Sequence, residues 1–101
     1  MNKAKNRKRR VTKERMLTIS ELAYYVGTPS RTIREMVDVE LISPCVTKPE
    51  LCFSTSILPV VQRIIRIQRT MEIDVSSLPV VIDLLDRIEQ LERKLMRFRS
   101  S

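Results

Sequence analysis

Apolar positions recur at helical spacing in two short bursts separated by a turn. Leu22, Ala23 and Val26 form the first stripe, and Gly27, the only glycine in the chain, supplies a left-handed stop after it. Ser20 reads as the N-cap of this helix, with Glu21 in the first turn, where the helix dipole favours an acid. Ser30 reads as the cap of the second helix. In it Ile33, Met36 or Val37, and then Leu41 point inward against Ile19, Leu22 and Val26, leaving Arg31, Arg34, Glu35 and Asp38 outside. A glycine at the corner between two short helices fits a helix-turn-helix, because that turn often needs a residue without Cβ.

Pro44 and Pro49 bracket residues 43–52, which therefore cannot be helical throughout and read as a short two-stranded wing ending at Phe53. Ser54 or Ser56 then caps a helix with Val60, Val61, Ile64, Ile65 and Ile67 on a broad apolar face. Arg63, Arg66 and Arg69 line its opposite side as a solvated stripe. "EIDVSSLP", residues 72–79, breaks the pattern with cap residues and a proline near a helix start. Beyond it Val81, Leu84, Ile88, Leu91, Leu95 and Phe98 alternate in steps of three and four, the a/d seam of a coiled coil. Arg87, Glu89, Glu92, Arg93 and Lys94 flank that seam with both signs. So small a domain has nothing obvious to cover the segment past Ile88, which favours a homodimer or docking on a partner. The expected fold is mostly α: a winged helix-turn-helix over residues 16–80, then a long C-terminal helix over 81–101.

Charge is distributed unevenly. Residues 1–15 hold eight basic residues against one acidic, which accounts for the whole net charge of +7, and the remainder balances eleven against eleven. Dense like charge with little to bury predicts a disordered basic tail over residues 1–15. No apolar h-region follows it, and no run approaches the roughly 18 apolar residues of a membrane span. The expected setting is cytoplasmic or nucleoid-associated, without membrane partners.

Candidate chemistry is thin. With no histidine, the Ser/His, Cys/His and His-metal constellations are excluded, and one glycine cannot build a phosphate-cradling loop. Cys45 and Cys52 alone cannot complete a tetrahedral metal site and read as reduced structural thiols. Asp83 and Asp86, three residues apart on a helix, read as solvated surface. No enzyme, cofactor or metal is expected; this is the sequence of a binding protein.

"TISELAYYVGTPSRTIREMVDVELISP", residues 18–44, with a wing and two more helices, resembles the winged helix-turn-helix of MerR-type regulators, "PSRTIR" being the most characteristic string. The likeness spans residues 17 to about 85. In that family aromatics follow the "RTIR" step and the wing carries an arginine before an aromatic, both holding phosphate. Here the positions read Glu35, Met36, Val37 and Leu51, Cys52, Phe53. Exposed Glu35, Asp38 and Glu40 oppose Arg31 and Arg34, a poor match for a duplex with one negative charge per about 1.7 Å.

Residues 60–98 are similar to a narrower group, the chaperone-modulator (CbpM) family, which restrains a DnaJ-like co-chaperone. The matching positions are Val60, Val61, Gln62 and Arg63, then Ile73 and Asp74, then Leu84, Leu85, Asp86 and Ile88. That resemblance implies binding to a J-domain and inhibition of its stimulation of Hsp70. Arg31, Arg34, Glu35, Asp38 and Glu40 would then form the partner-binding face. The alternative is a small MerR-like DNA-binding transcriptional regulator in which Arg7, Lys8, Arg9 and Arg10 of the tail join Arg31 and Arg34 on phosphate.

Overall fold

A computed structural model describes residues 15–100, and all but Arg15 of the predicted basic tail lies outside them. The described chain runs β1 (Met16–Thr18), α1 (Ile19–Val26), α2 (Ser30–Asp38), β2 (Cys52–Ser54), α3 (Ile57–Met71), a 3-10 turn (Val75–Ser77) and α4 (Leu78–Ser100). It is the mostly helical helix-turn-helix with a long C-terminal helix that the pattern predicts.

The first helix starts earlier than expected. Thr18, still extended at φ −73° and ψ 169°, caps α1, and Ser20 is already inside the helix. The Thr18 hydroxyl accepts from the Glu21 N–H at 3.2 Å while the Glu21 carboxylate accepts from the Thr18 N–H at 2.9 Å. This reciprocal capping box satisfies two backbone donors, whereas a Ser20 cap would satisfy one. In α2 the cap position falls to Pro29, extended at ψ 146°, rather than to Ser30. Its carbonyl accepts from Thr32 at 3.0 Å, and no side chain caps the turn.

Gly27 closes α1 in the left-handed region at φ 69°, with the Thr28 N–H donating to Ala23 at 3.0 Å. Two other helices end the same way on glutamates. Glu40 at φ 62° follows α2, with Leu41 donating to Met36 at 2.9 Å, and Glu72 at φ 52° follows α3, with Ile73 donating to Gln68 at 3.3 Å. A side chain with Cβ is strained there, so Glu40→Gly and Glu72→Gly are each expected to stabilise the fold by about 0.5–1 kcal/mol. An unchanged or lower Tm in thermal melts would contradict the reading of these ends.

The sheet differs from the predicted wing. β2 pairs antiparallel with β1, placing Leu17 opposite Phe53, and residues 43–52 contribute only an isolated bridge between Val46 and Cys52. Pro44 and Pro49 cannot donate to a ladder, so a paired strand cannot run through that segment. Met16–Thr18 offers three consecutive donors and buries Leu17 in the process.

Leu22, Ile33, Met36, Phe53, Val61 and Leu78 are wholly buried at the centre of the core. Met36 rather than Val37 takes the central place on α2; Val37, Leu41 and Val26 pack around it half-buried. On α3, Val61, Ile64 and Ile65 face inward, Ile67 is half-buried, and Val60 is turned to the surface.

The C-terminal helix begins at Leu78, three residues before the predicted boundary at 81, because Leu78 is itself a core residue. Ile82 and Leu85 continue its inward edge, and from Asp86 to Arg99 every side chain is exposed. Arg63 of α3 ties the helix down, donating to Asp86 at 3.2 Å and Glu89 at 3.4 Å. With 23 residues at about 1.5 Å rise, α4 reaches well past the core.

A candidate partner-binding surface

Arg31, Arg34, Glu35 and Asp38 all lie on the outer face of α2, within an arc of roughly 100°. The face is opposite Ile33 and Met36, whose burial sets the helix rotation. All four are exposed, and among the described residues none of them joins an ion pair. The two edges of this face open onto different grooves.

One edge is acidic. Glu35 and Asp38 line a shallow groove of about 450 Å³, whose other wall comes from Asp74, Val75 and Ser76 at the turn before α4, with Val39 and Gln68 completing it. Three carboxylates and two valines therefore share one concavity that has no cationic residue in its lining. Such a surface suits a partner with basic side chains on an apolar backing. Asp74 joins this site only through the packing of the 3-10 turn against α2. Nothing in the local sequence around it signals that neighbourhood.

The opposite edge is mixed. Arg34 lines a second groove of about 380 Å³ with Ser20 at the start of α1 and with Thr47, Pro49 and Glu50 of the wing loop. Arg31 lies in neither groove. Glu40, grouped with these residues by sequence, lies beyond the end of α2, one residue past its C-cap Val39, in the left-handed region. The five predicted residues thus divide among the acidic groove (Glu35 and Asp38), the mixed groove (Arg34), the helix face outside both grooves (Arg31) and the segment just past α2 (Glu40). Arg7, Lys8, Arg9 and Arg10 lie outside the described residues.

Two members of the arginine stripe on α3 have structural partners rather than a purely solvated role. Arg63 holds α4 as described, and Arg69 donates to the Gly27 carbonyl at 3.1 Å, bracing the helix-turn-helix corner. Asp86 is correspondingly a partner of Arg63, and Asp83 pairs with Arg87 at 3.2 Å.

The predicted seam lies on α4 roughly 110° around from its inward edge. Val81 is half-buried, and Leu84, Ile88, Leu91, Leu95 and Phe98 are each more than half exposed. No side-chain polar group is buried among the described residues, and no group of three potential metal ligands occurs there. None of the described helices is long and apolar enough to cross a membrane.

A family comparison agrees with this architecture: the sequence model described as "MerR HTH family regulatory protein" matches residues 17–100. The chain belongs to that family. No curated protein matches it. In this MerR-family chain the match spans β1 through α4, so the long helix lies within the family pattern, beyond the residue 85 reached by the sequence resemblance. The helix-turn-helix is α1 and α2 joined at Gly27, braced by Arg69.

Proposed function

We propose that this MerR-family chain is a chaperone modulator that binds the J-domain of a DnaJ-like co-chaperone and inhibits its stimulation of Hsp70. The observation that carries the reading is the acidic groove: Glu35, Asp38 and Asp74 face one another across α2 and the turn before α4, with Val39 and Val75 beside them. A J-domain engages Hsp70 through a basic helix, and that helix complements this groove in charge. Occupying it would block the stimulation of ATP turnover. The likeness of residues 60–98 to the CbpM family supports the same reading. The test is ATP turnover by Hsp70 with its J-domain protein: adding the full chain in modest excess lowers the stimulated rate toward the basal one. An unchanged stimulated rate contradicts the proposal.

A second reading, a DNA-binding regulator, draws on Arg31 and Arg34, which stand exposed on α2 without ion-pair partners among the described residues, and on Arg34's place beside the wing loop. Here residues 1–15 would supply the missing phosphate contacts. It predicts duplex binding with a steep salt dependence that is lost when those residues are deleted. Binding unaltered by the deletion contradicts that role for the tail.

Either reading is compatible with a dimer formed by α4. The exposed seam of Leu84, Ile88, Leu91 and Leu95 repeats at coiled-coil spacing and lies clear of the helix's inward edge. Replacing Leu91 and Leu95 with Asp is expected to halve the mass in solution while leaving the helical content of the domain intact. The same mass for both proteins would rule the seam out.

A further inference from the structure

The wing loop turns back on itself at a two-against-one bulge. Cys45 and Val46 both donate to the Cys52 carbonyl, at 2.8 and 3.2 Å, while the Cys52 N–H donates to Val46 at 2.9 Å. The extra residue in the first arm brings Cys45 alongside Val46, opposite Cys52. Val46 and Cys52 exchange both backbone bonds, the arrangement that holds two Cα atoms about 5.5 Å apart, and Cys45 is the bulged neighbour bonded to the same Cys52 carbonyl, so the two cysteines sit side by side at the base of the loop. Cys52 is also anchored from its other side, where it pairs with Thr18 of β1, so the strand that carries it is held on both edges. Both cysteines are free thiols, Cys45 exposed and Cys52 half-buried.

We infer that Cys45 and Cys52 form an oxidation site at which a hydroperoxide closes an intramolecular disulfide across the base of the wing. The exposed Cys45 thiolate attacks the peroxide, the O–O bond breaks, and Cys45 becomes a sulfenic acid as water or an alcohol leaves. The Cys52 thiolate then attacks the Cys45 sulfur, forming the S–S bond and expelling hydroxide, which leaves as water. Two thiols are oxidised by two electrons, and one hydroperoxide is reduced. The loop that is closed carries Thr47, Pro49 and Glu50, which line the groove beside Arg34. Oxidation would therefore tether one wall of that groove. The inference is independent of which partner the α2 surface binds.

The test uses the full chain with hydrogen peroxide as the oxidant, followed by alkylation and intact mass measurement. The expected product is monomeric in its covalent mass, about 2 Da lighter than the reduced chain and inert to alkylation, and a thiol reductant reverses it. Digestion yields a linked peptide pair containing Cys45 and Cys52. In Cys52→Ser the Cys45 sulfenic acid persists and is trapped by dimedone, whereas the wild-type chain traps little. Circular dichroism of Cys45→Ser and Cys52→Ser confirms that each is folded before the comparison. Independent over-oxidation of the two thiols, or crosslinking between chains without the internal link, would overturn the inference.

Discussion

Phe53→Ala is expected to remove about 3–5 kcal/mol of stability, enough to leave a domain of this size close to its unfolding midpoint. Phe53 is wholly buried and heads the large buried side chains of the core. It also forms the cross-strand pair with Leu17 that fixes the register of the small sheet. Truncation would lose the transfer energy of the ring and leave a cavity where β1, β2 and α1 meet, a junction with little else to collapse into it. Equilibrium urea unfolding measures the loss. Val60→Ala is the natural control: its side chain is 46% exposed, so the change should be within about 0.5 kcal/mol. Similar losses for the two variants would mean that the orientation of α3 and the sheet register are wrong.

Reversing the charge of the acidic groove should have the largest effect on binding. In a triple variant carrying Glu35→Lys, Asp38→Lys and Asp74→Lys, three favourable contacts with a basic helix become repulsive. Each exposed pair contributes only about 0.2–1 kcal/mol, but the reversal acts on three together and adds repulsion, giving a loss of affinity on the order of a hundredfold. The three side chains are exposed, so the fold should tolerate the change. Glu50→Lys, across α2 in the other groove, should leave J-domain affinity within about twofold. Equal losses from the two proteins would place the partner elsewhere.

Much of this fold is legible in local pattern. The stripe of Leu22, Ala23 and Val26, the single glycine at φ 69° and the spacing of Ile33 and Met36 specify the helix-turn-helix through burial and backbone freedom alone. The T-x-x-E string at Thr18 and Glu21 was an equally plain signal for the start of α1, and a cap at Ser20 overlooks it because Ile19 precedes that serine inside the helix. β1 is harder to foresee. Three residues beside a charged tail carry almost no strand signal, and they become a strand only because Phe53 arrives from far along the chain to pair with Leu17.

The site was legible in part. Glu35 and Asp38 can be placed on an outer helix face from spacing, but their separation from Arg34 depends on what packs beside each edge of α2. Asp74 could not be added from sequence, since its approach to α2 is created by tertiary packing of the 3-10 turn. Arg63 and Arg69 illustrate the same limit. Their spacing marks a polar face, whereas the partners that give them a role, Asp86, Glu89 and the Gly27 carbonyl, come from other elements.

Under the proposed function, the outer surface of this helix-turn-helix recognises a J-domain through its acidic groove. Calorimetric titration of the isolated J-domain into the full wild-type chain tests it most directly. Saturable binding is expected, with a dissociation constant below about 50 μM that weakens as salt is raised. Absence of binding at that concentration, with the chain shown to be folded, would contradict it.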